Sequence, residues 1–284
     1  MFKCLLLILG VFCCSTAVIL LKAAETAPLL VAAYRLLLAS VFLSPFFLRD
    51  YKRHGAEVDW KKCYTFILPA LFLSFHFVTW AWGARLTAVS NASLIINLAP
   101  VVMPFAAYAI VRERISVKEA LGTLLAVCGV VILSWSDFRM GGGNLFGNGV
   151  CFVSMVGFTG YLAFGLKGAR LPTVWLYIVP VYAIAGVMCL AVSLVALESV
   201  LVPNPQELLR IVVIAIVPTV IGHSILNYSL KSLKGQVVSV VNLHQFVFAT
   251  TIGFFVFGEL PPSIFAVAAL LCSIGGVIVV RESR

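Results

Sequence analysis

Residues 117–133 read VKEALGTLLAVCGVVIL, and residues 263–279 read SIFAVAALLCSIGGVIV. Each is the core of an apolar run of the length a membrane helix needs, since a hydrocarbon layer about 30 Å thick takes roughly 20 helical residues. Laid over one another at a shift of 146 positions, they coincide at Ala120 and Ala266, Leu124 and Leu270, Leu125 and Leu271, Gly129 and Gly275, Val131 and Val277, and Ile132 and Ile278. Upstream, the same shift brings Ser93 onto Ser239, Val101 onto Val247 and Glu113 onto Glu259, and sets Arg85 against Lys231. The ends of the apolar runs coincide at this shift as well. The chain therefore reads as a duplication of residues 1–136 and 145–284.

The whole composition agrees with a membrane setting. Of 284 residues, 62% are apolar and 11% charged, and the mean hydropathy is +1.10. Soluble domains are about 45–50% apolar and about 25% charged, because their surfaces must be hydrated. Apolar runs at about 4–22, 28–48, 63–84, 87–111, 117–135, 145–165, 174–196, 208–230, 236–257 and 262–280 predict ten crossing helices, leaving no length for a soluble domain. The first run is longer than a signal-peptide core and lacks a small-x-small cleavage site before Lys22, so it reads as a retained helix.

The net charge of +9 resides in short loops rather than in a basic patch, so it points to topology and not to nucleic acid. With the N-terminus cytoplasmic, fifteen Lys and Arg residues fall on the inner side, against Lys22, Arg85, Arg139 and Arg210 outside. That bias places both termini in the cytoplasm of a multi-pass protein of the cell membrane, a cell inner membrane in bacterial terms. The eight Cys residues form no CxxC pair and sit mostly in apolar stretches, where Cys packs as a small side chain.

Five helices per unit is an odd number, so the second unit enters the membrane from the opposite face. The fold class is then an all-α integral membrane protein with ten transmembrane helices in two inverted five-helix repeats. Inverted repeats recur in secondary transporters, which expose a site near the midplane first to one side and then to the other.

Particular motifs sharpen this. The second helix carries Tyr34-Arg35; the fourth contains Pro100 and ends at Glu113; the eighth ends in Asn227-Tyr228-Ser229-Leu230-Lys231; the ninth ends in Phe257-Gly258-Glu259. In these features, and over its whole length, the sequence resembles the EamA-like branch of the drug/metabolite transporter superfamily. It departs from the common pattern at Ala81-Trp82-Gly83-Ala84-Arg85, where Asn often comes first, and at Val111-Arg112-Glu113 in place of Leu-Gly-Glu. The resemblance implies a carrier of amino acids, their derivatives, nucleotide-linked metabolites or drugs, often outward, with a small-molecule substrate and the lipid bilayer as its partners.

Polar side chains inside apolar helices mark where a cavity would lie, because an unpartnered polar group in hydrocarbon costs on the order of 1–4 kcal/mol. Helix three carries His76 and Trp80; helix four carries Ser90, Ser93 and Asn97, then Pro100 and Pro104; helix eight carries His223 and Asn227; helix nine carries Ser239, Asn242 and Gln245. Corresponding helices of the two repeats are marked, and Asn97 and Asn242 lie one residue apart under the shift. The expected site is therefore a cavity between helices three, four, eight and nine, with Trp80, Asn97, His223, Asn227 and Asn242 facing it and Arg35 near its outer end. The plainer alternative makes these serines and amides bridges between helices and has His223 cap a carbonyl. Arg35 lies roughly 10 Å inside its helix; it either contacts a substrate carboxylate or phosphate, or serves structure by donating to helix-end carbonyls or reaching Glu25. Tyr161, Tyr177 and Tyr182 line a path or mark the membrane interface, the latter expected for those near helix ends.

All eleven Asp and Glu residues fall at helix ends or in loops, with Glu113 and Glu259 expected to satisfy helix ends. No mid-membrane carboxylate is available for a proton relay, which favours a uniporter driven by its substrate gradient over proton antiport. If protons are coupled, as in a multidrug efflux carrier, His76, His223 or His244 must carry them. A membrane-embedded enzyme is the competing class. It lacks support in any HExxH, GxSxG or Asp pair, and Gly141-Gly142-Gly143-Asn144 reads as a loop, so neither catalytic residues nor a cofactor or metal are expected.

Overall fold

A computed structural model describes residues 2–62, 64–86, 95–140, 145–196, 204–258, 260–261 and 263–283, with side chains left out at 2, 22, 84, 85, 133–140 and 257. Among these residues the chain is all helical. The helices are α1 (Phe2–Ala23), α2 (Pro28–His54), α3 (Tyr64–Leu86), α4 (Ala99–Val111), α5 (Val117–Met140), α6 (Leu145–Gly168), α7 (Trp175–Val195), α8 (Pro205–Ser229), α9 (Gly235–Asn242), α10 (Gln245–Phe257) and α11 (Phe265–Glu282). Eight of the described spans are long and apolar enough to cross a membrane, the eighth crossing being α11 and the seventh being made of α9 and α10 together. Large apolar side chains on the outside, such as Phe255 and Leu270, fit a surface that meets lipid.

Local chemistry fixes the helix ends. Proline at the first helical position opens α2 and α8, where its missing N–H costs nothing. The Asn204 side chain caps α8 by accepting from the Glu207 N–H at 2.9 Å. Ser116 and Glu119 form a reciprocal capping box on α5: the Ser116 hydroxyl accepts from the Glu119 N–H and the Glu119 carboxylate from the Ser116 N–H.

Two irregularities recur at the 146-residue shift. The backbone turns out of helix at Asn97–Leu98, ahead of α4, and at Leu243–His244, between α9 and α10. Then α4 ends on Arg112 and α10 ends on Gly258, both left-handed, with φ of 60° and 68°. Each stops a helix by turning its last carbonyls aside.

Helices α3 and α6 pack along each other, as do α2 with α7 and α5 with α11; α1 lies against α8 and α10, and α4 against α6 and α9. Small residues let α5 and α11 approach closely. A β-carbon on Gly275 would stand 2.3 Å from the Gly122 carbonyl oxygen, and one on Gly129 would stand 2.6 Å from the Ala268 carbonyl oxygen. Backbones this close are how helices associate without a hydrophobic driving force between them. Gly129 and Gly275 thus lie in one interface.

Tyr161, Tyr177 and Tyr182 are buried in the core, at 1% exposure or less. The expectation that Tyr177, one turn into α7, marks the interface is corrected: Gly168 leaves its ring a seat within contact of the α6 backbone.

Candidate functional site

In α8, Pro218 has no N–H, so the Ile214 carbonyl four residues earlier loses its helical donor. The Thr219 hydroxyl takes over, donating to Ile214 O at 3.0 Å, and residues Ala215–His223 widen into π-helix. Such π segments are frequent at functional sites. Thr219 in turn accepts from Arg35 Nε at 3.0 Å, and the guanidinium carbon sits 4.3 Å over the Phe77 ring. Arg35 is buried, its Nη2 has no hydrogen-bond partner, and no carboxylate pairs with it among the described residues. Its anchor is therefore Thr219 and not Glu25; the Glu25 backbone N–H instead donates to Glu207.

Around this arginine lies a small central cavity of about 60 Å³, lined by Cys14 and Ala17 of α1, Arg35 of α2, His76, Phe77 and Trp80 of α3, Ile96, Phe158 of α6, His223 of α8, and Asn242 and Gln245. An adjoining lobe adds Ser15, Asn97 and Phe246 and shares Trp80, Ile96 and Gln245 with the first. Five of the six residues expected from the sequence are thus brought together: Arg35, Trp80, His223 and Asn242 on the main cavity, and Asn97 on its lobe. The cavity is wider than expected, since α1, α2 and α6 contribute walls besides helices three, four, eight and nine.

Asn227 is the correction. It lines neither lobe; its Nδ2 donates to the Tyr161 hydroxyl at 2.5 Å and to the His223 carbonyl at 2.7 Å, behind the cavity wall. One helical turn from His223, it points toward α6 because Tyr161 offers an acceptor there. The His223 ring caps no carbonyl, and its Nδ1 has no partner. Its ring is flanked instead by Phe77, Phe158 and Tyr161, with centroids 5.7 to 6.3 Å away.

Each helix break supplies an amide. Asn97 stands at the first, and Gln245 Nε2 donates to Asn242 Oδ1 at 2.5 Å across the second. His76 is held by Ser154 of α6, whose hydroxyl lies 2.9 Å from Nδ1 and 2.9 Å from the His76 carbonyl oxygen. Pro104 frees the carbonyl of Pro100, and Gln236 Nε2 occupies it at 3.2 Å. Ser90, Ser93, the Arg85 side chain and Glu259 lie outside the described residues.

No carboxylate lines either lobe among the described residues. The three buried ones are engaged at helix ends. Glu207 accepts from the backbone N–H groups of Glu25 and Thr26 and from Arg210. Glu119 pairs with Lys234 at 2.8 Å, and Asp50 with Arg49 at 2.7 Å. Glu113, past the end of α4, accepts from the Gly235 N–H at 3.3 Å at the start of α9, the helix-end role expected of it. Burial pushes its carboxyl pKa up.

Sequence reasoning missed the aromatic and apolar walls, Phe77, Phe158, Cys14 and Ile96, and left Gln245 out of the site. One signal was available for Phe77: the 146-residue shift carries it onto His223, and the two rings face each other.

A model of the EamA-like transporter family matches residues 1–135 and again residues 145–281. The chain belongs to the EamA-like transporter family. This EamA-like protein is similar to an uncharacterized transporter of Archaeoglobus fulgidus, at 29% identity over 112 residues, 39% of this chain and 39% of that relative. The match thus spans about two fifths of the length of the curated relative. A protein of known crystal structure superposes on 99% of the EamA-like chain and 98% of its own, with a TM-score of 0.79 at 17% identity, a likeness of fold alone. The EamA-like protein is a multi-pass membrane protein.

Proposed function

We propose that this transporter has ten crossing helices in two inverted repeats, residues 1–136 and 145–284, and moves a small metabolite by alternating access through the central cavity. Three observations support the repeats. The helix breaks at 97–98 and 243–244 and the left-handed caps at 112 and 258 share one shift. Helix partners exchange in register, α1 lying on α8 as α6 lies on α3, while α2 with α7 and α5 with α11 are their own counterparts. The family model matches twice.

The observation that carries the site is the meeting of both broken helices at one polar cavity. Unwound turns in a membrane are tolerated where they line an aqueous space, and discontinuous helices at a repeat interface are where such carriers bind substrate. We assign substrate contact to Arg35, Trp80, Asn97, His223 and Asn242, and the positioning of His223 to Asn227. The solute is an amino acid, a derivative or a related metabolite, exported across the cell membrane with both termini cytoplasmic. The substrate gradient drives the step, since no carboxylate among the described residues faces the cavity to trade a proton.

Purified protein in liposomes, tested by counterflow with labelled amino acids, organic acids and cationic drugs with and without a pH gradient, tests this reading. Saturable flux that weakens in Asn97→Ala or Asn242→Ala supports it. No flux of any solute, or normal flux in both variants once corrected for amount of protein, overturns it.

A further inference from the structure

The central cavity has one sign of charge. Arg35 is the only charged side chain among the described residues that line it; the other polar groups are imidazoles, amides, a hydroxyl, an indole and a thiol. The protein satisfies part of the guanidinium, with Thr219 on Nε and the Phe77 ring beneath its plane. It leaves Nη2 without a partner and, among the described residues, supplies no carboxylate. A buried charge without a counter-charge is costly, and the guanidinium fork matches a planar anion on two nitrogens at once.

We infer that the cavity selects a solute carrying a single negative charge on an apolar body, and that the membrane potential adds to the solute's own gradient in driving its export. The inference rests on the carrier reading above. A monoanion completes the ion pair that Arg35 lacks, whereas a cation would meet that charge with no carboxylate to offset it. A dianion would bring a second charge with no partner. The flat walls formed by Trp80, Phe77 and Phe158 suit an apolar or aromatic body.

The energetic consequence follows from the cycle. The protein's own charges return to their starting places each turn, so the net charge moved is the solute's. With the cytoplasm negative, an anion is pushed outward, and each 100 mV is worth about a 50-fold concentration ratio for a monovalent ion. An anion exporter of this kind needs no proton relay, in keeping with a cavity that no carboxylate lines among the described residues.

The test uses four probes of similar body: phenylacetate and benzenesulfonate as anions, phenylacetamide as the neutral form, and benzyltrimethylammonium as a permanent cation. Binding is read from the thermal midpoint of the full chain in nanodiscs. The two anions should raise the midpoint and the other two should not. Arg35→Gln should weaken anion binding by about tenfold or more, and Arg35→Lys should retain part of it. The wild-type ranking alone keeps the test decisive if Arg35→Gln fails to fold. In liposomes loaded with benzenesulfonate, a potassium diffusion potential, negative inside, should speed efflux over the same vesicles at zero potential.

Equal or greater stabilisation by the cation or the amide, no binding of either anion, or efflux indifferent to potential overturns the inference. If some other solute is still carried by counterflow, the carrier reading survives and only the anion assignment falls. If no solute is carried at all, the carrier reading falls first.

Discussion

Arg35 Nε donates to the Thr219 hydroxyl at 3.0 Å, and that hydroxyl donates to the Ile214 carbonyl, which Pro218 leaves without its helical donor. A proline in one helix thus prepares the seat for an arginine in another. Hydrogen bonds to charged groups contribute about 1.5–3 kcal/mol, more than bonds between neutral groups. Thr219→Val keeps the shape and removes both bonds, so it should destabilise the protein by about 1.5–3 kcal/mol. Thr219→Ser should stay close to wild type. Melting of the detergent-solubilised variants checks this; equal midpoints for Val and Thr would remove Thr219 as the anchor.

Asn227 faces Tyr161 and the His223 backbone, not the cavity. Asn227→Ala should therefore lower stability by about 1–3 kcal/mol, since it strands a buried tyrosine hydroxyl. Asn242→Ala, on the cavity itself, should instead weaken transport about 5- to 30-fold, the equivalent of 1–2 kcal/mol, with little loss of folded protein. Flux per folded molecule, measured beside the melting midpoint, separates the two residues. The reverse assignment of effects would exchange their roles.

Glu113 provides a pH handle outside the membrane spans. Burial raises its folded pKa above the unfolded value, so the folded state holds the proton more tightly. The sign follows: its contribution to stability is fully present below the unfolded pKa and is lost as pH rises through the folded pKa. Glu113→Gln keeps an oxygen for the Gly235 N–H but cannot ionise. Relative to wild type, it should gain stability as pH rises from about 4 toward neutrality. A constant difference across that range would show that Glu113 does not titrate differently on folding.

Orientation is open to direct labelling. In a Cys-less background, Ala56→Cys should react with an impermeant maleimide only after permeabilisation, and Gly142→Cys in intact cells. The opposite pattern would remove the cytoplasmic placement of the termini.

Coupling can be read from collapse of the proton gradient, which should leave downhill flux and counterflow intact. Uptake that follows an imposed pH gradient and disappears in His76→Gln or His223→Gln would make the two cavity imidazoles the proton carriers instead.

Composition and period by themselves determined that this chain lives in lipid, because 62% apolar and 11% charged residues leave no other solvent that tolerates its surface. The 146-residue shift pointed to a duplication, whereas the helix breaks at 97–98 and 243–244 that share this shift came to light only in the backbone of the folded chain. Most of the site was legible too, because a polar side chain within an apolar run needs a partner or water and so announces itself. Which of the two it has is a matter of neighbours. Asn242 and Asn227 look alike in sequence, yet one meets open space and the other meets Tyr161, 66 residues away. Apart from Trp80, and Phe77 through its place opposite His223 under the shift, the apolar walls gave no signal, because a cavity-facing Phe158 is indistinguishable in sequence from a lipid-facing phenylalanine. Only the packing of α1, α2 and α6 around the broken helices decided that these rings face the cavity, that Thr219 holds Arg35, and that no carboxylate among the described residues stands opposite its charge.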